Sequence, residues 1–175
     1  MDSRAAEKHW PSDLARDYIG SRLDRLRRTA FLMCGDWHTA DDVVSTAVLK
    51  VYQDWRRISR MEHLDAYVRR AVVNAWLDER RRPWRRERSV PELPPRAHPA
   101  DDHSVHDRIA ILEHLDALPA RRRAVIVLRF YCDLSVEETA QVLDCSPGTV
   151  KSQTARALDT LRASMVDVPD LVSEG

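Results

Sequence analysis

Apolar residues recur along this chain at three- and four-residue steps, the spacing of one helix face, and no stretch alternates with the period of a strand. In "TADDVVSTAVLKVYQDW", Val43, Val44, Ala47, Val48, Val51, Tyr52 and Trp55 fall on one stripe. Thr39 and Asp42 precede them in the S/T-x-x-D/E pattern that starts helices. "LDAYVRRAVVNAWLDERRR" repeats the stripe with Leu64, Tyr67, Val68, Ala71, Val72, Ala75 and Trp76, until Pro83, whose ring cannot continue a helix. An earlier helix, about Leu14 to Cys34, supplies Leu23, Leu26, Ala30, Phe31 and Met33 and is closed by Gly35. Together these predict a compact bundle of about three helices.

From Ser89 to about His103 the periodicity stops. "SVPELPPRAHPADDH" holds four prolines and little apolar content, and reads as a linker stiffened locally by proline. Beyond it, "SVHDRIAILEHLDAL" predicts a helix capped at Ser104, and "PARRRAVIVLRFYCD" a second with Pro119 near its first turn. Ser135 and Glu138 then form a capping box for a third, which breaks at Asp144, and the final helix runs from Pro147 to about Met165. The expected fold is therefore all-α, with two small helical domains joined by a flexible linker. The boundaries are residues 12–88 for the first domain, 89–103 for the linker, 104–165 for the second domain and 166–175 for a tail.

The last two helices have the features of a helix-turn-helix. Ala140 is small where the second helix must cross closely, and Asp144 tolerates the left-handed backbone that glycine usually takes in such a turn. Ser146 can cap the next helix, and Pro147 suits its first position. With Val150 pointing inward, a 100° step per residue puts Thr154, Ala157, Leu158 and Leu161 on the core side. Gly148, Lys151, Ser152, Ala155, Arg156 and Asp159 then face outward. Cations, a hydroxyl and a small residue on one face suit a helix that enters a DNA groove, and its amide-rich start would favour a phosphate. The competing reading is an ordinary Ser-Pro cap with a solvated face, which needs capping box, small residue, turn length and cap to coincide by chance.

Composition sharpens this picture mainly through where the charges lie. The chain has 175 residues, 43% of them hydrophobic, and a formal net charge of zero, so its overall balance says nothing for or against nucleic acid. Between Arg69 and Arg88, however, eight arginines face only Asp78, Glu79 and Glu87. From Glu92 to Asp116 the sign reverses. Such blocks act locally, because charge fields decay over roughly 8 Å at physiological salt. Three widely spaced cysteines, Cys34, Cys132 and Cys145, read as small core residues. With no secretory apolar segment and no membrane-length apolar run, the expectation is a soluble, cytoplasmic, reduced protein without membrane insertion. His98, His103, His106 and His114 form no ligand cluster, so neither metal nor other cofactor is expected. Four glycines, none in a phosphate loop, and the absence of HExxH or GxSxG leave no support for an enzyme.

"ADDVVSTAVLKVYQDW" and "DAYVRRAVVNAWLDERRR" resemble region 2 of the sigma-70 superfamily, and "LPARRRAVIVLRFYCDLSVEETAQVLDCSPGTVKSQTARALDTLR" resembles its region 4. Two regions joined by a short linker are similar to the extracytoplasmic-function group (group IV), with a subgroup flavour that is actinobacterial. The resemblance covers about residues 14 to 165. It implies a promoter-specificity factor that binds core RNA polymerase and reads the −10 and −35 promoter elements. For −35 duplex it implicates Thr149, Lys151, Ser152, Gln153, Ala155 and Arg156. For the −10 element it implicates Arg57, Arg60, Arg70, Asn74, Asp78 and Arg81, with the loop from Arg56 to Leu64 forming a pocket for flipped bases. Asp41, Asp42, Ser45, Leu49 and Gln53 would meet the polymerase clamp. Ser45 stands where the family usually has glutamine, and Gln153 where it often has a basic residue.

Some readings stay open beside the resemblance. Asn74 could instead bond helix to helix, and Asp41 and Asp42 could merely cap. Trp55, Tyr67 and Trp76, at helical spacing, read as core, whereas Trp84 among arginines is a better candidate to touch nucleic acid or polymerase. The linker could thread the polymerase's RNA path or be a solvated tether. Expected partners are core polymerase and promoter DNA, with an anti-sigma factor left open. The rival function is a stand-alone helix-turn-helix transcriptional regulator, which would bind duplex tightly without polymerase.

Overall fold

The computed structural model describes residues 13–81 and 105–166, and among these there are helices and turns but no strand. The first module holds α1 (Asp13–Gly20), α2 (Leu23–Cys34), α3 (Trp37–Ile58) and α4 (Leu64–Arg81). The second holds α5 (Val105–Asp116), α6 (Ala120–Ile126), α7 (Val136–Leu143) and α8 (Pro147–Val166). The all-α expectation holds. The expected linker, the Ser104 cap, Pro83, Trp84, His98 and His103 lie outside the described residues, as does the tail after Val166.

Local chemistry explains most element ends, and three differ from the sequence expectation. The helix expected from Leu14 to Cys34 is two helices. At Gly20 the hydrogen bonding tightens, with Arg22 N donating to Ile19 O at 3.0 Å, and the restart lets Arg22 pair with Asp65 of α4 at 3.0 Å. Gly35 ends α2 as expected, in the left-handed region at φ 86°, where its N–H donates to Phe31 O at 2.8 Å. The start of α3 lies earlier than Thr39. Asp36 is the cap, its carboxylate accepting from Thr39 N at 2.7 Å, and Thr39 itself is buried inside the helix. The two extra residues matter because Trp37 stacks on Phe31, centroids 4.2 Å apart, and this joins α2 to α3. Asp36→Ala should lower stability by about 1 kcal/mol, read as a shifted denaturant midpoint; no shift would show that the cap is not what starts α3.

The third difference lies after α6. The expected continuous helix passes at Val127–Tyr131 into a π-helical turn, closed by Cys132 N donating to Val127 O at 3.0 Å. The extra residue in that turn rotates the next stretch of chain. Val127, Leu128, Cys132 and Leu134 are buried, while Phe130 and Tyr131 are 57% and 41% exposed. Arg129 donates to Leu134 O and braces the turn.

The largest apolar cluster belongs to both modules at once. Met33, Val43, Val51, Val72 and Trp76 of the first share it with Ala124, Val127, Leu128, Cys132, Leu134 and Val142 of the second. Modules this small bury too little apolar surface to be generously stable alone, so packing one against the other completes both. This accounts for Val73, which lies off the expected stripe of α4 yet is 2% exposed. It sits on the side of α4 that the second module covers. Two smaller clusters hold α8 in place, Leu115, Leu118, Ile126 and Ala157 in one, Val125, Ala140 and Val150 in the other.

Candidate nucleic-acid and polymerase surfaces

The helix-turn-helix forms as its residues dictate. Ser135 and Glu138 make both bonds of the capping box of α7, and Asp144 ends that helix with φ 53° and ψ 53°. An aspartate tolerates this region better than most residues because its short polar side chain can hydrogen-bond locally. Cys145 N donates to Ala140 O at 3.1 Å, and Ser146 Oγ then accepts from Thr149 N at 3.1 Å to start α8. Val150 and Ala157 are fully buried, which fixes the rotation of α8.

That rotation leaves Thr149, Lys151, Ser152, Ala155 and Arg156 exposed and Gln153 half-buried. No acidic residue occupies the first turn of α8, so the positive end of its dipole is not neutralised locally. Ser152 Oγ donates to Thr149 O at 3.0 Å, keeping its lone pairs for an incoming donor. No ion pair holds Lys151 or Arg156 among the described residues, so both cations face solvent on one side of the helix.

The residues expected at the −10 element fall into two groups. Arg70, Asn74, Asp78 and Arg81 follow one another at three- and four-residue steps along α4, with Asn74 and Asp78 exposed. Asp78 pairs with Arg81 at 3.4 Å. Arg57 and Arg60 lie at the far end of α3 and just beyond it. Because α3 runs to Ile58, Arg56 and Arg57 belong to its last turn, and the expected loop shortens to residues 59–63. Arg57 pairs with Asp54 at 3.2 Å and lies over the Tyr67 ring, 5.6 Å from its centroid. The hydrogen bond from the Tyr67 hydroxyl holds the Asp54 carboxyl below its ordinary pKa, while burial, aided by that same bond, pushes the Tyr67 phenol up. Tyr67 thus anchors the start of α4 to α3 and is not a free stacking surface. Trp76 is 1% exposed and is core, as its spacing predicts.

On α3, Asp42, Ser45, Leu49 and Gln53 are all exposed at three- and four-residue steps, a single outward ridge with Leu49 at 61% exposure. Asp41 is placed differently. Its carboxylate takes two bonds from Arg27 of α2, at 2.6 and 2.9 Å, and so serves the joint between those helices.

Two features escaped the sequence reading. Arg123, within a run of three arginines, is fully buried: its Nε donates to Leu32 O at 2.8 Å and its Nη1 to Asp116. The signal for it was its place four residues before Val127, on the stripe that turns inward. The other is Arg70, which pairs with Asp144 at 2.6 Å. No local pattern could reveal a pair formed between modules. His114, expected to bind no metal, contacts Ser164 Oγ through Nδ1 at 2.9 Å.

Two family models match, Sigma-70 region 2 over residues 19–86 and Sigma-70 region 4 over residues 108–161. Among relatives, the chain is 36% identical over 155 residues to an RNA polymerase sigma-E factor of Streptomyces coelicolor, covering 86% of this chain and 85% of that protein. It is 32% identical over 136 residues to the ECF RNA polymerase sigma factor SigM of Mycobacterium tuberculosis, covering 76% of this chain and 67% of that one. The sigma factor RpoE of Bartonella quintana, solved in complex with the anti-sigma factor NepR, has a similar fold. Its TM-score is 0.69 at 21% identity, over 87% of this chain and 99% of that one. CnrH, solved with the cytosolic domain of CnrY, matches with a TM-score of 0.63 at 21% identity, over 87% of each chain. With region 2 in its first module, region 4 in its second and relatives aligned across both, the chain belongs to the sigma-70 family.

Proposed function

We propose that the chain is a promoter-specificity factor, which binds core RNA polymerase and directs it to initiate at promoters with −10 and −35 elements. The observation that carries this reading is the pairing of a region 2 module with a region 4 module whose α8 exposes Lys151 and Arg156, neither held in an ion pair among the described residues. The ridge of Asp42, Ser45, Leu49 and Gln53 docks on polymerase, combining one apolar side chain with polar neighbours. Asp41 supports it by holding α2 against α3.

Melting exposes bases whose restacking must be prevented at a cost of a few kcal/mol each. Asn74 supplies both donor and acceptor to a base edge, and Arg57, Arg60, Arg70 and Arg81 supply charge along the strand, with Asp78 orienting Arg81. On the −35 duplex, Lys151 and Arg156 contact phosphate or guanine, while Thr149, Ser152 and Gln153 offer hydrogen bonds and Ala155 permits close approach. The chain acts in the cytoplasm, where polymerase is, and performs no catalysis of its own. An anti-sigma protein is a third partner, by analogy with RpoE. No feature favours a stand-alone regulator.

Run-off transcription on a random promoter library, with core polymerase and with or without the chain, tests the reading. Starts that depend on the chain and share −10 and −35 sequences are expected. Tight duplex binding by the isolated chain with no dependent starts would support the regulator instead.

A further inference from the structure

Arg123 carries a full charge into the joint between α6 and α2, and the fold leaves part of that charge unanswered. Its side chain is 0% exposed. Nε donates to Leu32 O at 2.8 Å and Nη1 donates to Asp116, but Nη2 is buried with no hydrogen-bond partner among the described residues. A buried, charged donor without an acceptor is costly, so it marks a place where an acceptor belongs. The unpaired Nη2 faces the end of α2, 3.7 Å from where a side chain at position 35 would begin. Gly35 takes its left-handed angle and puts no side-chain atom into that space.

The neighbour that can supply the acceptor is Cys34. It is half-buried at the last position of α2, and its thiol is near enough for its charge to act on Arg123. Burial pushes the Arg123 guanidinium below its ordinary value; Asp116 and then Cys34 act against burial, while Arg80 acts with it. Arg80, exposed and lying over the Trp76 ring, thus adds a second positive charge to these surroundings. The end of α2 opposes a thiolate with about half a negative charge, which the whole charge of Arg123 outweighs. Asp36 turns its carboxylate to the start of α3, where it accepts from Thr39 N and offsets that helix's positive end. The other two cysteines lack this setting. Cys132 is 3% exposed and contacts Thr29, and burial pushes the Cys145 thiol up with Arg121 opposing.

We propose that Cys34 is an oxidation site for hydrogen peroxide and similar hydroperoxides, with Arg123 holding the oxygen that is added. The thiolate sulfur attacks one peroxide oxygen, the O–O bond breaks as the S–O bond forms, and the departing hydroxide takes up a proton. Sulfur loses two electrons and the peroxide gains them, so thiol and peroxide become sulfenic acid and water. Arg123 favours the thiolate that attacks, and its Nη2 then donates to the new oxygen. Oxidation therefore tightens the joint, because an acceptor arrives where the folded chain lacked one. The inference needs neither DNA nor polymerase and does not rest on the promoter reading.

The test treats the reduced full-length chain with hydrogen peroxide in the presence of dimedone, which traps sulfenic acid, and follows each cysteine by peptide mass spectrometry. Cys34 should be labelled about tenfold faster than Cys145. Arg123→Met should bring the Cys34 rate to within about twofold of that of Cys145, and circular dichroism melting checks that the variant folds. Where it does not fold, Arg80→Gln, a change at an exposed position, decides instead. It should slow Cys34 about twofold at low salt and less at high salt, and leave Cys145 unchanged. Melting also supplies a readout that incidental oxidation would not move upward. Peroxide without the trap should raise the melting temperature by about 2–4 °C, and dithiothreitol should restore the original value. Labelling of Cys34 no faster than Cys145, a Cys34 rate indifferent to the deciding variant, or a melting temperature that does not rise overturns the proposal.

Discussion

Replacing Lys151 and Arg156 together by alanine should abolish dependence on the −35 element while leaving polymerase binding unchanged. Both side chains are exposed on α8 and neither is paired among the described residues, so their loss leaves the helix seated by Val150 and Ala157. Each contact to phosphate or base is worth about 1–3 kcal/mol, so the pair is worth about 2–6 kcal/mol. At about 1.4 kcal/mol per factor of ten, that is at least about a thirtyfold loss of −35 duplex affinity. Transcription from promoters with and without a −35 element, beside a polymerase pull-down, reads the two functions separately. Polymerase binding that fell in step with −35 dependence would contradict the division of labour between α3 and α8.

Trp76→Ala should be the most damaging single substitution to the fold. Trp76 is 1% exposed within the cluster that both modules share, and truncating a buried tryptophan costs about 3–5 kcal/mol. Domains of this size hold about 5–15 kcal/mol in all, so much of the stability would go. At about 2–4 °C per kcal/mol for a cooperative unit of 150 residues or more, the melting temperature should fall by about 6–20 °C. Circular dichroism melting measures it. A variant that melts within about two degrees of the parent but fails to open promoters would mean that Trp76 stacks on a base and is not core.

These two residue sets show what kinds of information a linear pattern carries. The outward face of α8 follows from Val150 alone, because 3.6 residues per turn then dictate where Lys151, Ser152 and Arg156 point. Trp76 was legible for the same reason, lying four residues after Val72 on one stripe. The capping box at Ser135 and the left-handed turn at Asp144 were also legible, since both are set by residues within a few positions of each other. Errors arose where two local signals competed. Thr39 and Asp36 both suit a helix cap, and the stacking of Phe31 on Trp37 favours the earlier one. The π turn after α6 was hidden because its residues are ordinary helix formers. Its cause is tertiary: Leu128, Cys132 and Leu134 must all reach the first module.

Periodicity, capping chemistry and turn residues, all short-range, sufficed to determine that the chain is helical, that it has two modules, and which face of each helix is polar. Only the tertiary structure decided what those faces meet. Arg123 reads in sequence as one more surface arginine, yet it is buried because the end of α2 lies against it. Arg70 and Asp144 stand 74 positions apart and are joined at 2.6 Å, and Asn74 shares a cavity with Thr149. Such pairings depend on how two already folded modules dock. That depends on the summed shape and apolar area of whole surfaces, which no window along the chain records.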